Sequence, residues 1–156
     1  MTGFIKINFD GAVDKVSNRA GLGVVGRDLA GNYVSWSRIH LKFASDPEHI
    51  EALTGIEALR LARRENWEAV EVEGDYLLLI NKLCALNKDL SAISHLVDDI
   101  LSLSSLISVC SFSFTKRLGN VVAHNLARVV VENLEPVLVL PPIVVDSIVS
   151  DISALR

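Results

Sequence analysis

Lys6-Ile7-Asn8-Phe9-Asp10-Gly11-Ala12 is the stretch on which the fold of this chain turns. From Phe4 to Asp10, Ile5, Ile7 and Phe9 face one way while Lys6, Asn8 and Asp10 face the other. That period of two marks a strand, which Gly11 is expected to end. Outward from it, Leu22 to Arg27 and Tyr33 to Ile39 give two more strands. Asp28-Leu29-Ala30-Gly31-Asn32 between them supplies hairpin turn residues. Three antiparallel strands therefore open the domain.

Asp46-Pro47-Glu48 then starts a helix, with a capping carboxylate, a proline in the first turn and an acid near the positive end. The helix is expected to run to about Asn66. Ala52, Ile56 and Leu59 form an apolar stripe on it. Glu51, Gly55, Ala58 and Ala62 form a second stripe whose small residues permit close approach to a sheet. Ala69 to Glu73 reads as a fourth strand ending at Gly74-Asp75, followed by a helix from Tyr76 to Leu86 broken at Asn87-Lys88-Asp89. Ser91 is expected to cap a further helix that buries Ile93, Leu96, Val97, Ile100 and Leu103. Val109 to Thr115 alternates as a fifth strand, and Gly119-Asn120 opens a helix to about Asn133. The layout is mixed α/β with a five-stranded sheet. Residues 1–135 make the domain. Residues 136–156 form an apolar C-terminal tail expected to pack on the domain or on a protein partner.

Half of the 156 residues are apolar and 22% are charged, which excludes a disordered chain. No apolar run approaches the ~18 residues of a membrane span; the longest candidate is cut by Pro141 and Pro142. Neither a secretory signal nor a membrane partner is expected. Cys84 and Cys110 lack metal-type spacing and read as reduced core thiols of a nuclear or cytoplasmic protein. No Cys or His spacing supports zinc. Fifteen basic against nineteen acidic residues argue against a simple electrostatic DNA binder. Nine of the fifteen fall before residue 68, so a phosphate-facing surface is expected in that half, around Lys15, Arg19, Arg38 and Lys42.

Three carboxylates stand at the ends of elements, where a sheet presents functional groups. Asp10 closes the first strand, Glu51 begins the long helix and Asp75 ends the fourth strand. Each alone has a structural explanation: a turn residue, a helix-dipole partner, a helix cap. Their order and spacing together point to a shared site.

The segments Lys6 to Ala12, Ala20-Gly21-Leu22-Gly23-Val24-Val25-Gly26-Arg27-Asp28, Ile50-Glu51-Ala52-Leu53, Val72-Glu73-Gly74-Asp75 and Arg117 through Asn120-Val121-Val122-Ala123-His124-Asn125-Leu126-Ala127-Arg128 carry a family resemblance. Taken in order, they resemble the ribonuclease H-like domains of plant genomes, related to the reverse-transcriptase-associated ribonuclease H of retroelements. The resemblance implies a ribonuclease H-like α/β fold, with helices on both faces of the sheet. It also implies a two-metal endonuclease acting on the RNA strand of RNA–DNA hybrids. Asp10 would bridge two Mg²⁺ ions (or Mn²⁺), Glu51 and Asp75 would each help to hold one, and His124 takes the fourth catalytic position. Mg²⁺ binds through a few carboxylates together with substrate oxygens, and two such ions serve the attacking and leaving sides of a phosphate. Hybrid contacts are expected from Gly11, Lys15, Arg19 and His49.

The chain departs from the family in places. Tyr76 follows the third acid where a small Ser or Cys is usual. Lys116-Arg117-Leu118 replaces Pro-Arg-Glu, and Pro47, Glu48 and His49 stand where relatives carry amides. These departures leave the acids intact and bear on the grip of substrate. A catalytically weak nucleic-acid-binding or interaction module, derived from a retroelement ribonuclease H, remains open as an alternative.

Overall fold

The computed structural model describes residues 3–85 and 91–132. Five strands form one sheet: β1 (Ile5–Asp14), β2 (Arg19–Arg27), β3 (Tyr33–Leu41), β4 (Ala69–Gly74) and β5 (Val109–Phe114). They lie in the order β3-β2-β1-β4-β5. β1, β2 and β3 are antiparallel, whereas β4 and β5 run parallel to β1, so the sheet is mixed as expected. Four α-helices are described: α1 (Pro47–Arg64), α2 (Leu77–Cys84), α3 (Ser94–Ser104) and α4 (Val121–Glu132). A short 3₁₀ turn, Arg117–Gly119, precedes α4.

The period of two in β1 has a direct consequence. Ile5, Ile7 and Phe9 enter the main core with Val24, Val70 and Val72, against Ala52, Ile56 and Leu59 of α1. Leu79 of α2 and Val97 and Ile100 of α3 complete that layer. On the other face, Val122, Ala123, Leu126 and Val129 of α4 pack on Val25, Tyr33 and Trp36. Both faces are covered, so the polar row Asn8 and Asp10 is buried too, at 2% and 1% exposure.

Several local expectations need correction. Gly11 does not end β1, which continues to Asp14 and pairs with β2 through Asp14↔Arg19. Glycine is required there for room: a Cβ would lie 2.8 Å from Ile50 Cγ2 and 3.2 Å from Thr54 Oγ1 of α1. Asp46 stands at the start of α1 but its side chain makes no capping hydrogen bond. Ser91 does not cap α3; it accepts a turn bond from Ser94 N, and Ile93 occupies the capping position. Cys84 is exposed rather than in the core. Cys110 is half-buried, with its thiol pushed up to about 11 by desolvation. Both cysteines are free.

The end of α1 follows its sequence closely. Asn66 adopts a left-handed φ of 57°. Asn66 N donates to Arg63 O, and Trp67 N to Ala62 O, which satisfies the last carbonyls in a Schellman arrangement. The expected C-terminal tail, residues 136–156, lies outside the described residues. No described helix is long and apolar enough to cross a membrane.

Candidate metal centre

The parallel pairing of β1 with β4 ends at Phe9↔Gly74, so the next residues, Asp10 and Asp75, emerge side by side where β4 leaves the sheet. The early turns of α1 lie over the same edge, and Glu51 Oε1 accepts a 3.2 Å hydrogen bond from Gly11 N. The three acids thus converge from three elements, with one ligand atom from each lying within 4.8 Å of the others. Glu51 Oε2 is buried and has no hydrogen-bond partner. An orphaned carboxylate oxygen facing two more carboxylates fits a hard divalent cation with oxygen preference.

Electrostatics agree with the geometry. Burial, then the charge of Asp10, raises the Glu51 carboxyl well above its ordinary range. Asp75 is raised for the same two reasons, against the opposing pull of Arg117. Two acids that resist ionisation beside a third are costly in an ion-free fold.

His124 is carried to this edge by α4. Its Nδ1 lies 2.7 Å from Asp10 Oδ2, and its ring nitrogens lie 3.0 and 3.2 Å from Arg117 Nη1. The arrangement suits the tautomer in which Nδ1–H donates to Asp10 and Nε2 accepts from Arg117. Arg117 Nε donates to Asp75 Oδ2 at 2.5 Å. A chain of contacts therefore runs Asp75–Arg117–His124–Asp10.

Beneath it lies a buried polar network with no counterpart in the sequence reading. Asn8 Nδ2 lies within hydrogen-bond distance of Glu73 Oε1 (2.9 Å), Gly119 O (3.2 Å) and Asn120 Oδ1 (3.2 Å). Arg27 Nη2 donates to Asn8 Oδ1, and Asn120 Nδ2 donates to Phe9 O at 2.9 Å. The network ties β1, β4 and the start of α4 together, which holds Asp10 and His124 in register. Its sequence signal was weak: Asn8 and Asn120 both lie in the segments quoted above, without any local pattern to pair them.

The four expected catalytic residues, Asp10, Glu51, Asp75 and His124, are brought together. Of the expected nucleic-acid contacts, Gly11 is at the site through its backbone, and His49 is half-exposed two residues before Glu51. Lys15 and Arg19 lie on the β1–β2 hairpin, with Lys15 about 16 Å along the strand from Asp10 at ~3.3 Å per residue. Arg38 stacks over Trp36 at 5.5 Å from its ring centre. The cation at the acids is Arg117, from the half of the chain where a phosphate-facing surface was not expected. Tyr76 packs against the main core beside the cluster, its hydroxyl pKa raised by burial and by Glu48 and Glu51.

One consequence is measurable without substrate. In the folded, ion-free protein burial and the Asp10 charge favour the protonated Glu51 carboxyl, whose proton the unfolded chain releases above the ordinary value of 4.5. Stability is therefore complete below that value and falls as pH rises through the raised native pKa. In a chelator, the wild-type melting temperature should fall as pH rises above the ordinary carboxylate range, and Glu51→Gln should lose most of that fall. Parallel melting curves for the two proteins over that rise in pH would contradict the upward shift of the Glu51 carboxyl.

The chain matches a protein family described as reverse transcriptase-like over residues 8–130. Its fold is similar to ribonuclease H1 from the halophilic archaeon Halobacterium salinarum NRC-1, with a TM-score of 0.76 and 21% identity over 83% of this chain and 98% of that one. It is similar to the N-terminal ribonuclease H domain of a Mycobacterium tuberculosis protein, with a TM-score of 0.73 and 16% identity over 99% and 100% of the two chains. It also resembles LC11 ribonuclease H1, of compost metagenomic origin, in complex with an RNA/DNA hybrid: TM-score 0.73, 21% identity, 84% and 99% covered. At these identities the likeness is one of fold. No curated protein matches the chain significantly by sequence.

Proposed function

The chain belongs to the reverse transcriptase-like family, and from that premise we propose that it is a divalent-metal-dependent endonuclease cutting the RNA strand of RNA–DNA hybrids. The observation that carries this reading is the convergence of Asp10, Glu51 and Asp75 with an unpartnered, buried Glu51 oxygen. The hybrid held by a protein of the same fold supports the substrate class. Asp10, Glu51 and Asp75 would hold a pair of divalent ions, Mg²⁺ or Mn²⁺, which supply charge neutralisation at a phosphate and activation of water.

The chain's own groups do the positioning. Gly11 N–H orients Glu51, and His124 Nδ1–H orients Asp10. The Asn8 network keeps β1 and α4 from sliding past each other. His124 stands beside the acids, in contact with Asp10, where its imidazole relays a proton through water to the leaving oxygen. Lys15, Arg19 and His49 serve as backbone and groove contacts, and 2′-hydroxyl and groove shape distinguish hybrid from DNA duplex. Cleavage of an end-labelled hybrid should leave a 5′-phosphate and a 3′-hydroxyl. Products ending in a 3′-phosphate or a cyclic phosphate would rule out this chemistry.

An imidazole is a poor partner for Mg²⁺, whereas Mn²⁺ accepts nitrogen more readily. Wild-type cleavage should therefore be faster with Mn²⁺ than with Mg²⁺. His124→Asp should raise the Mg²⁺-supported rate roughly tenfold, the lower end of effects from groups bordering a metal ligand. Rates for both proteins with each metal, at fixed pH and ionic strength, decide this. An unchanged metal preference would place His124 outside the metal's reach.

A further inference from the structure

Three carboxylates held within 4.8 Å need an offsetting charge whenever no ion is bound. Each has a hydrogen-bond partner: Gly11 N for Glu51, His124 Nδ1 for Asp10, Arg117 Nε for Asp75. Only the last brings a permanent positive charge. Burial works against the Arg117 charge, but its bond to Asp75 and the fields of Asp75, Asp10 and Glu51 outweigh that cost.

The backbone under this guanidinium is fixed. Thr115 N donates to Gly74 O, Asn120 N donates to Arg117 O, and Asn120 is itself buried in the Asn8 network. The side chain above that anchor is 59% exposed and has open solvent to turn into. A fixed base with a movable charged end makes the contact reversible.

We propose that Arg117 is the resident counter-cation of the acid cluster, a positioning residue that competes with a divalent ion for Asp75 Oδ2. This rests on the reading that the acids hold metal. In the ion-free protein the guanidinium fills in for the missing charge and links Asp75 to His124. With a divalent ion at the acids, the guanidinium would be repelled and Asp75 Oδ2 would be free to help hold the ion. The released guanidinium is then the nearest strong donor for a phosphate oxygen approaching the cluster.

The test is a Mn²⁺ titration followed by electron paramagnetic resonance of the free ion. It compares wild type, Arg117→Gln, Arg117→Lys and Asp75→Asn at fixed pH and ionic strength, with melting curves in chelator beside it. Arg117→Gln should bind Mn²⁺ roughly fivefold tighter, the scale of a partly exposed ion pair, while melting lower without ion. Arg117→Lys, which keeps the charge but not the fork, should fall between the two. It carries the test if Arg117→Gln does not fold. A residue that merely braced Asp75 would do the opposite, weakening metal affinity ~10–100-fold on removal. Equal or weaker binding by both Arg117 variants, with wild type binding Mn²⁺ and Asp75→Asn impaired, would overturn this inference alone. Wild type that binds no Mn²⁺ would overturn it together with the metal reading.

Discussion

Asp10→Asn is expected to cut hybrid cleavage by at least ~1000-fold, about 4 kcal/mol of transition-state stabilisation, while the protein stays folded. Asp10 is 1% exposed, sits inside β1 rather than in a loop, and borders both other acids and His124. The amide preserves its size and still accepts from His124 Nδ1, so packing is unchanged. The substitution also removes the charge that opposes ionisation of Glu51 and Asp75, so the ion-free melting temperature should hold or rise. A capping or turn role would show the reverse pattern, with lower stability and intact cleavage. Retained cleavage in a well-folded Asp10→Asn protein would move the chemistry away from this cluster.

Gly23→Val is expected to be the most damaging change outside the acids. Gly23 pairs with Asp10 across β1 and β2, and α4 rests directly on it. A Cβ there would collide with the carbonyl oxygen of Ala123 and lie 2.7 Å from Ala127 N. Both are backbone atoms that cannot swing aside, so α4 must lift. Overpacking of this kind costs about 3 kcal/mol or more, a fall of roughly 6–12 °C in melting temperature for a chain of this size. Because α4 carries His124, the contact with Asp10 should be lost at the same time, with slower cleavage below the melting transition. A melting temperature within about 2 °C of wild type would contradict the close seating of α4.

How much of this was legible in the sequence follows from the range of each interaction. The β1 alternation, the Asp28–Asn32 turn, the start of α1 at Pro47 and the apolar faces of α1 and α3 are local patterns, and the structure keeps them. The three acids were legible because each sits at an element boundary that those patterns mark. Gly11 misled for a physical reason: glycine signals a break in isolation, but here it is the residue small enough for Ile50 and Thr54 to cross a continuing strand. Ser91 and Asp46 are good capping residues by type, yet Asp46 holds the cap position of α1 without a side-chain bond, and Ile93 rather than Ser91 holds that of α3. The Asn8 network joins positions 65 and 112 residues apart, where no periodicity connects them. Arg117 stands in a quoted segment, but its place beside the acids is not local either, since the fold brings the 3₁₀ turn after β5 to the end of β4.

The central claim meets its most direct test in one assay. Purified protein is given a labelled RNA–DNA hybrid, single-stranded RNA or DNA duplex of the same sequence, with Mg²⁺, Mn²⁺ or chelator. The acid cluster predicts cleavage of the RNA strand of the hybrid alone, present with either metal, absent in chelator and absent in Asp10→Asn. Cleavage that persists in chelator, or a metal-loaded wild type that binds the hybrid and leaves it whole, would contradict the account.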